Sequence, residues 1–178
     1  MQATALSGGT REPVSIEFES MFREHYQMVY RTAYSILGSS ADAEDVLQTI
    51  FLRLLRRELS SALLSNAKGY FYRAAVNLSL DILRAKKRIE LVGDSERFES
   101  IADISDTKQT EARHRRVTEA IAELNPNAAH ILILRYVHDY SDAEIAKLLG
   151  TSRTAIAVRL FRSRARLKRL LRDLEDDR

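Results

Sequence analysis

Residues 142–161, DAEIAKLLGTSRTAIAVRLF, carry the spacing of two short helices crossed over a tight turn. Ala146 is small enough for close helix contact, Gly150 supplies the positive φ of the turn, and Ile156 gives the second helix an apolar inner anchor. Ser141 and Glu144 form a capping box before the first helix, because the serine oxygen and the glutamate each satisfy a free backbone N–H. The pattern fits a helix-turn-helix better than the alternative, an ordinary helical hairpin. The residues after the turn separate the two readings. Arg153, Arg159, Arg162, Arg164, Arg166, Lys168, Arg169 and Arg172 crowd the second helix, with no acid before Asp173. A merely soluble helix mixes signs along its face; one sign alone suits a phosphate backbone. The helix start near Ser152 and Arg153 also offers unpaired N–H groups to a phosphate.

Working outward, helical spacing runs through almost all of the 178 residues, interrupted by only two prolines and six glycines, which predicts an all-α chain. Two small helical domains joined by a flexible linker are expected, the C-terminal one a helix-turn-helix domain. After a disordered tail at 1–15, Phe18, Phe22, Tyr26, Val29, Tyr30, Ala33 and Leu37 recur at spacings of three and four, and Gly38 ends that helix. A second helix opens at Ser39 to Asp42, its acids favouring the positive end of the helix dipole, and runs to about Glu58. Residues 59–67 read as a loop, and a third helix spans about Lys68 to Arg88. These pieces make a first domain over 16–90. Residues 91–110 turn acidic and polar and read as the linker. The second domain occupies 111–178, with a helix ending at Leu124-Asn125-Pro126, another over Ala128 to Val137, then the two helices already described, the last reaching about Leu174.

Composition closes off other classes. There is no cysteine, which removes disulfide scaffolds, thiolate metal sites and cysteine nucleophiles and points to the cytoplasm. No signal-peptide core and no run near the roughly 20 apolar residues of a membrane span is present, so no membrane insertion is expected. His25, His114, His130 and His138 lack a partner at ligand spacing, so no metal, cofactor or catalytic residue is assigned and the chain is not expected to be an enzyme.

A second basic cluster, Arg84, Lys86, Lys87 and Arg88, closes the third helix, preceded by Tyr70, Phe71, Tyr72, Arg73 and Asn77. Aromatic rings beside cations suit melted DNA, whose bases can stack on them. Phe71 reads as core. For Tyr70, Tyr72 and Asn77 the DNA-facing and core readings both stand.

With these motifs in order, the chain resembles the extracytoplasmic-function members of the sigma-70 family over nearly all of residues 16 to 172. DAEDVLQTIFLRLLR (42–56) is similar to the family's polymerase-binding helix, KGYFYRAAVNLSLDILRAKKR (68–88) to its promoter-melting segment, and residues 120–167 to its upstream-element reader. The resemblance implies a sigma factor that binds the largest-subunit clamp helices and the flap of core RNA polymerase and directs promoter recognition, DNA melting and transcription initiation. It places Asp45, Gln48, Phe51, Leu52 and Leu55 on or under the polymerase-binding surface, although Leu52 and Leu55 can equally be core. It assigns Asn77, Asp81 and Arg84, with Tyr70, Tyr72, Arg73, Lys86, Lys87 and Arg88, to the minus-ten element, and Ser60, Ser61 and Asn66 to a loop that captures a flipped base. It assigns Ser152, Arg153, Thr154, Ala157, Val158, Phe161 and Arg162 to the minus-thirty-five element in the major groove. The chain departs from the family where Ala157 replaces a basic residue, Val158 a hydroxyl, Ala129 an arginine and Asn125 a proline; Ala157 and Val158 can touch a thymine methyl but cannot hydrogen-bond to guanine. An anti-sigma factor is the implied regulator. The competing reading is a stand-alone helix-turn-helix regulator whose N-terminal bundle senses or dimerises.

Overall fold

A computed structural model describes residues 16–55, 65–92 and 105–176. Its helices are α1 (Ile16–Leu37), α2 (Ser40–Leu55), α3 (Ala67–Val92), α4 (Ser105–Ala122), α5 (Pro126–Tyr136), α6 (Asp142–Leu149) and α7 (Arg153–Asp176). No helix among the described residues is long and apolar enough to cross a membrane.

The local signals act as their chemistry requires. Gly38 stops α1 at φ 68°, and the Ser39 hydroxyl accepts a hydrogen bond from Asp42 N at 3.3 Å, capping α2. The Ser141 and Glu144 capping box opens α6, and Gly150 closes it in the left-handed region at φ 68°. Two boundaries differ from the sequence reading. Pro126 begins α5 instead of ending α4: Asn125 caps the helix by accepting from Ala128 N at 2.9 Å, and proline suits the first helical position because no N–H is needed there. Helix α4 starts at Ser105, inside the segment read as linker; its Gln109 and Thr110 are exposed, so these turns bury no apolar stripe that a periodicity could report.

Helices α1, α2 and α3 enclose an aromatic core. Phe51 sits edge-on to Phe18 and Phe22 and stacks on Phe71, with ring centroids 6.0, 4.8 and 5.1 Å away. Val29, Ala33, Ala43, Val46 and Ala75 are fully buried around it. In the C-terminal half, α5 is buried nearly all round, and Ile145, Ile156 and Leu160 seal α6 and α7 against it.

The two halves do not stand apart. Ile36, Tyr72, Val76 and Leu80, from α1 and α3, belong to the same hydrophobic cluster as Leu124, Ile131, Leu134, Ile145 and Leu160. Their outward face is hidden from water by the C-terminal half.

The turn at Gly150 gives a clean test, because a Cβ there meets nothing within 4 Å and only the backbone conformation is at stake. Gly150→Ala is expected to lower the unfolding free energy by about 1–2 kcal/mol in urea denaturation, and Gly150→Asn by less. Equal stability of all three proteins would contradict the turn assignment.

Candidate nucleic-acid interface

Three surfaces collect the residues singled out in the sequence. The first lies on α2, where Asp45, Gln48, Leu52 and Leu55 share one face at helical spacing and are all exposed. Leu52 and Leu55 remain 52% and 50% exposed, so they are surface residues and not core. Phe51 is buried beneath them in the aromatic core and supports that face from below.

The second surface lies on α3 and is only partly open. Tyr70 and Asn77 line a groove of about 250 Å³ with Ile50, Arg53, Ala74, Leu78 and Asp81. Arg53 was not singled out in the sequence; it ends α2 amid other arginines, and only folding brings it opposite Tyr70. Lys86 is held by Asp42 at 2.6 Å, a bond that also keeps the Asp42 carboxyl below its ordinary range. Arg73 is half-buried and Arg88 exposed. Ser60 and Ser61 lie outside the described residues.

The remaining residues of that set face the C-terminal half. Tyr72 is 0% exposed, so the stacking alternative is not available to it in this arrangement. Its hydroxyl donates to His130 O at 2.6 Å, and burial pushes its pKa up. Asn66 caps the start of α3 by accepting from Gly69 N at 3.0 Å, while its side-chain amide donates to Leu148 O at 3.1 Å. Asn77, exposed and part of the groove wall, also places its Oδ1 3.0 Å from His130 Nε2. Arg84 donates to Ala122 O and Leu124 O at 3.1 and 3.3 Å, beside Asp81 at 3.6 Å. Lys87 pairs with Glu123 at 2.7 Å.

The third surface is the outer face of α7. Ile156, Leu160 and Ser163 turn inward, leaving Ser152, Arg153, Thr154, Ala157, Val158, Phe161 and Arg162 exposed. Ser152 caps the helix by accepting from Ala155 N at 3.1 Å. Phe161 is 75% exposed, an apolar ring offered to solvent among arginines. Tyr136, missed in the sequence because it reads as the last apolar residue of α5, accepts from Arg164 Nε at 2.7 Å through its hydroxyl and lies under the guanidinium, fixing that charge beside the face.

The arrangement therefore pairs an exposed apolar and acidic face on α2 with an aromatic groove on α3 and a cationic helix on α7. Residues 21–89 match the family model for Sigma-70 region 2, and residues 114–167 match that for Sigma-70, region 4. The chain is 30% identical over 155 residues to the ECF RNA polymerase sigma factor SigM of Mycobacterium tuberculosis, covering 86% of this chain and 76% of the relative. This chain belongs to the sigma-70 family, in its extracytoplasmic-function group. The RNA polymerase sigma factor SigV of Bacillus subtilis is 29% identical over 140 residues, 79% of this chain and 82% of SigV. Among solved structures, CnrH in complex with the cytosolic domain of CnrY matches with TM-score 0.50 at 20% identity, covering 88% of each chain, a likeness of fold. Because the front half of this sigma factor is a region 2, the reading of it as a sensing or dimerising bundle is disfavoured.

The family departures also find places in the fold. Asn125 stands where proline is common because it caps α5. Ala129, replacing an arginine, is 0% exposed within the cluster that joins the halves.

The histidines of this sigma factor set a pH dependence. Burial, then the Arg73 charge, pushes His130 down to about 4; burial, then Arg31 and Lys68, does the same to His138, and burial lowers His25. Thr32 gives its proton to Met28 O at 2.7 Å, so His138 Nε2 must donate to Thr32 across 2.9 Å, which the neutral ring with its proton on Nε2 does. Lowered folded-state values mean that the unfolded chain takes up protons first. Stability is thus fully present above the ordinary 6.5 and lost progressively as pH falls toward 4. Urea unfolding at pH 7, 5.5 and 4.5 is expected to show that fall, reduced in a His130→Gln/His138→Gln variant; a flat profile in the parent chain would refute the assignment.

Proposed function

We propose that this sigma factor docks on core RNA polymerase through the α2 face of Asp45, Gln48, Leu52 and Leu55 while α3 and α7 grip two separate stretches of one promoter. The observation that carries the reading is the pairing, in one chain, of a solvent-facing leucine patch on α2 with a helix, α7, that carries only basic charge from Arg153 to Arg172 on an exposed outer face. Exposed leucines cost solubility unless they serve a partner surface, and the largest-subunit clamp helices and the flap of polymerase are the partners the family reading supplies. On α7, Arg153 and Arg162 are the side chains able to make base contacts in the minus-thirty-five element, since Ala157 and Val158 offer only apolar contact. Arg159, Arg164 and Arg166 would bind phosphates and make the affinity fall steeply with salt.

On α3, the groove between Tyr70, Arg53 and Asn77 has the size and lining to accept one unstacked base of the minus-ten element, with ring, cation and amide all within its walls. The energy of these contacts would offset the cost of opening the duplex. In this reading the chain performs no chemistry, needs no cofactor, works in the cytoplasm and is restrained by an anti-sigma factor.

Run-off transcription with core polymerase on genomic fragments is expected to show new start sites only when the chain is added; unchanged start sites would remove the reading. Leu52→Asp/Leu55→Asp is expected to abolish copurification with polymerase yet shift unfolding free energy by no more than about 0.5 kcal/mol, the range of surface substitutions. Arg162→Ala is expected to weaken the polymerase-bound promoter contact by about 1–3 kcal/mol, read from start-site use, and unaltered promoter use would show the groove assignment to be wrong.

A further inference from the structure

We infer that the outer face of α7 selects thymine in the upstream element, by burying its C5-methyl groups against an apolar stripe laid in the major groove. The inference rests on the sigma-factor reading of α7 given above and names the base chemistry that this chain prefers.

The stripe follows from helical geometry. At about 100° per residue, Thr154, Ala157, Val158, Phe161 and Ala165 fall within about 100° of arc, and all five are exposed. Ile156, Leu160 and Ser163 take the opposite side and are buried. The charges keep to the edges: Arg153 and Arg164 border the stripe on one side, Arg159, Arg162 and Arg166 on the other. Tyr136 holds Arg164 on its edge by accepting from Nε at 2.7 Å. Cations on both flanks match the two phosphate backbones that bound a major groove, and the base edges are left to the centre of the face. Within the stripe only the Thr154 hydroxyl can hydrogen-bond, so Arg153 and Arg162 reach bases at its margins and the middle is read by apolar contact.

Phe161 decides the class of ligand. Its ring is 75% exposed and Val158 is 44% exposed, and both gain only when apolar surface covers them. The apolar group that a major groove offers is the C5-methyl of thymine. A guanine–cytosine pair offers none, and the bidentate bond that would favour guanine needs the basic side chain that Ala157 lacks. From Thr154 to Phe161 the helix rises about 10 Å, the length of about three base-pair steps. Two or three successive thymines, on either strand, therefore fit the stripe.

The test removes methyl groups and nothing else. Run-off transcription on genomic fragments supplies a promoter, and the thymines of its upstream element are replaced by deoxyuridine, which keeps every hydrogen-bonding group. Holoenzyme assembled from core polymerase and the full chain is expected to bind the substituted promoter about 4-fold less tightly for each methyl removed from the stripe. With the Val158→Ser/Phe161→Ala variant the same replacement is expected to cost less than about 2-fold in all, because the methyl effect acts through these two side chains. Both positions are exposed, so the variant is expected to keep the parent's urea midpoint. Equal binding of the thymine and deoxyuridine promoters by a holoenzyme that starts transcription overturns the inference and leaves the sigma reading standing. A methyl penalty that the variant retains in full also overturns it, since the discrimination then comes from DNA shape, and so does an upstream element without thymine on either strand. A chain that yields no start sites with polymerase fails the sigma reading, and the thymine assignment falls with it.

Discussion

The contact on which the rest of the structure depends is the burial of Tyr72 between the two halves of the chain. Its ring lies edge-on to His130 and His138, each 5.8 Å away, and its hydroxyl is satisfied by His130 O. Around it Ile36, Val76 and Leu80 point the same way. Full burial of an aliphatic side chain contributes about 1.5–3 kcal/mol, and a tyrosine needs its hydroxyl paired to be buried without penalty. Both conditions are met here, and only by closing the halves on each other. Buried neutral histidines result from the same closure, because burial and the nearby Arg73, Arg31 and Lys68 charges outweigh what Asp139 offers a charged His138 ring.

That closure places two demands on one helix. Helix α3 must pack into the three-helix core on one side and meet the C-terminal half on another, where Tyr72 and Arg84 pair with backbone carbonyls, Lys87 with Glu123 and Asn77 with His130. These two contacts explain why α3 is apolar on more than one face: Phe71 and Ala75 belong to the three-helix core, while Tyr72, Val76 and Leu80 belong to the junction. Helices α2 and α7 carry no such double load. Their outer faces point to solvent, and their inner faces are ordinary core.

These differences decide what was legible in the sequence. The helix-turn-helix, its capping box and its glycine are local devices, and Ser141, Glu144 and Gly150 act in the fold as their spacing predicts. The order of the region 2 and region 4 segments was legible for the same reason, each being contained in one continuous stretch of the chain. Boundaries set by weak signals were not. Pro126 stops a helix or starts one depending on whether Asn125 can cap, and the early turns of α4 leave no apolar stripe. The exposure of Leu52 and Leu55 was open because helical spacing gives a face but not its neighbour. The junction was invisible: Ile36, Tyr72, Val76 and Leu80 obey the same period as core residues, and a period cannot say which half of the chain supplies the lid. His130, too, read as one more helix-face residue, although it meets both Tyr72 and Asn77.

The most direct measurement of this account is the distance between spin labels on α2 and α7, placed by Glu44→Cys and Arg169→Cys on exposed positions of the cysteine-free chain. Free in solution the labels are expected to give one narrow distance, and with core polymerase a second, longer one. A broad distribution in the free chain, or a single distance unchanged in a polymerase complex that opens promoters, would contradict it.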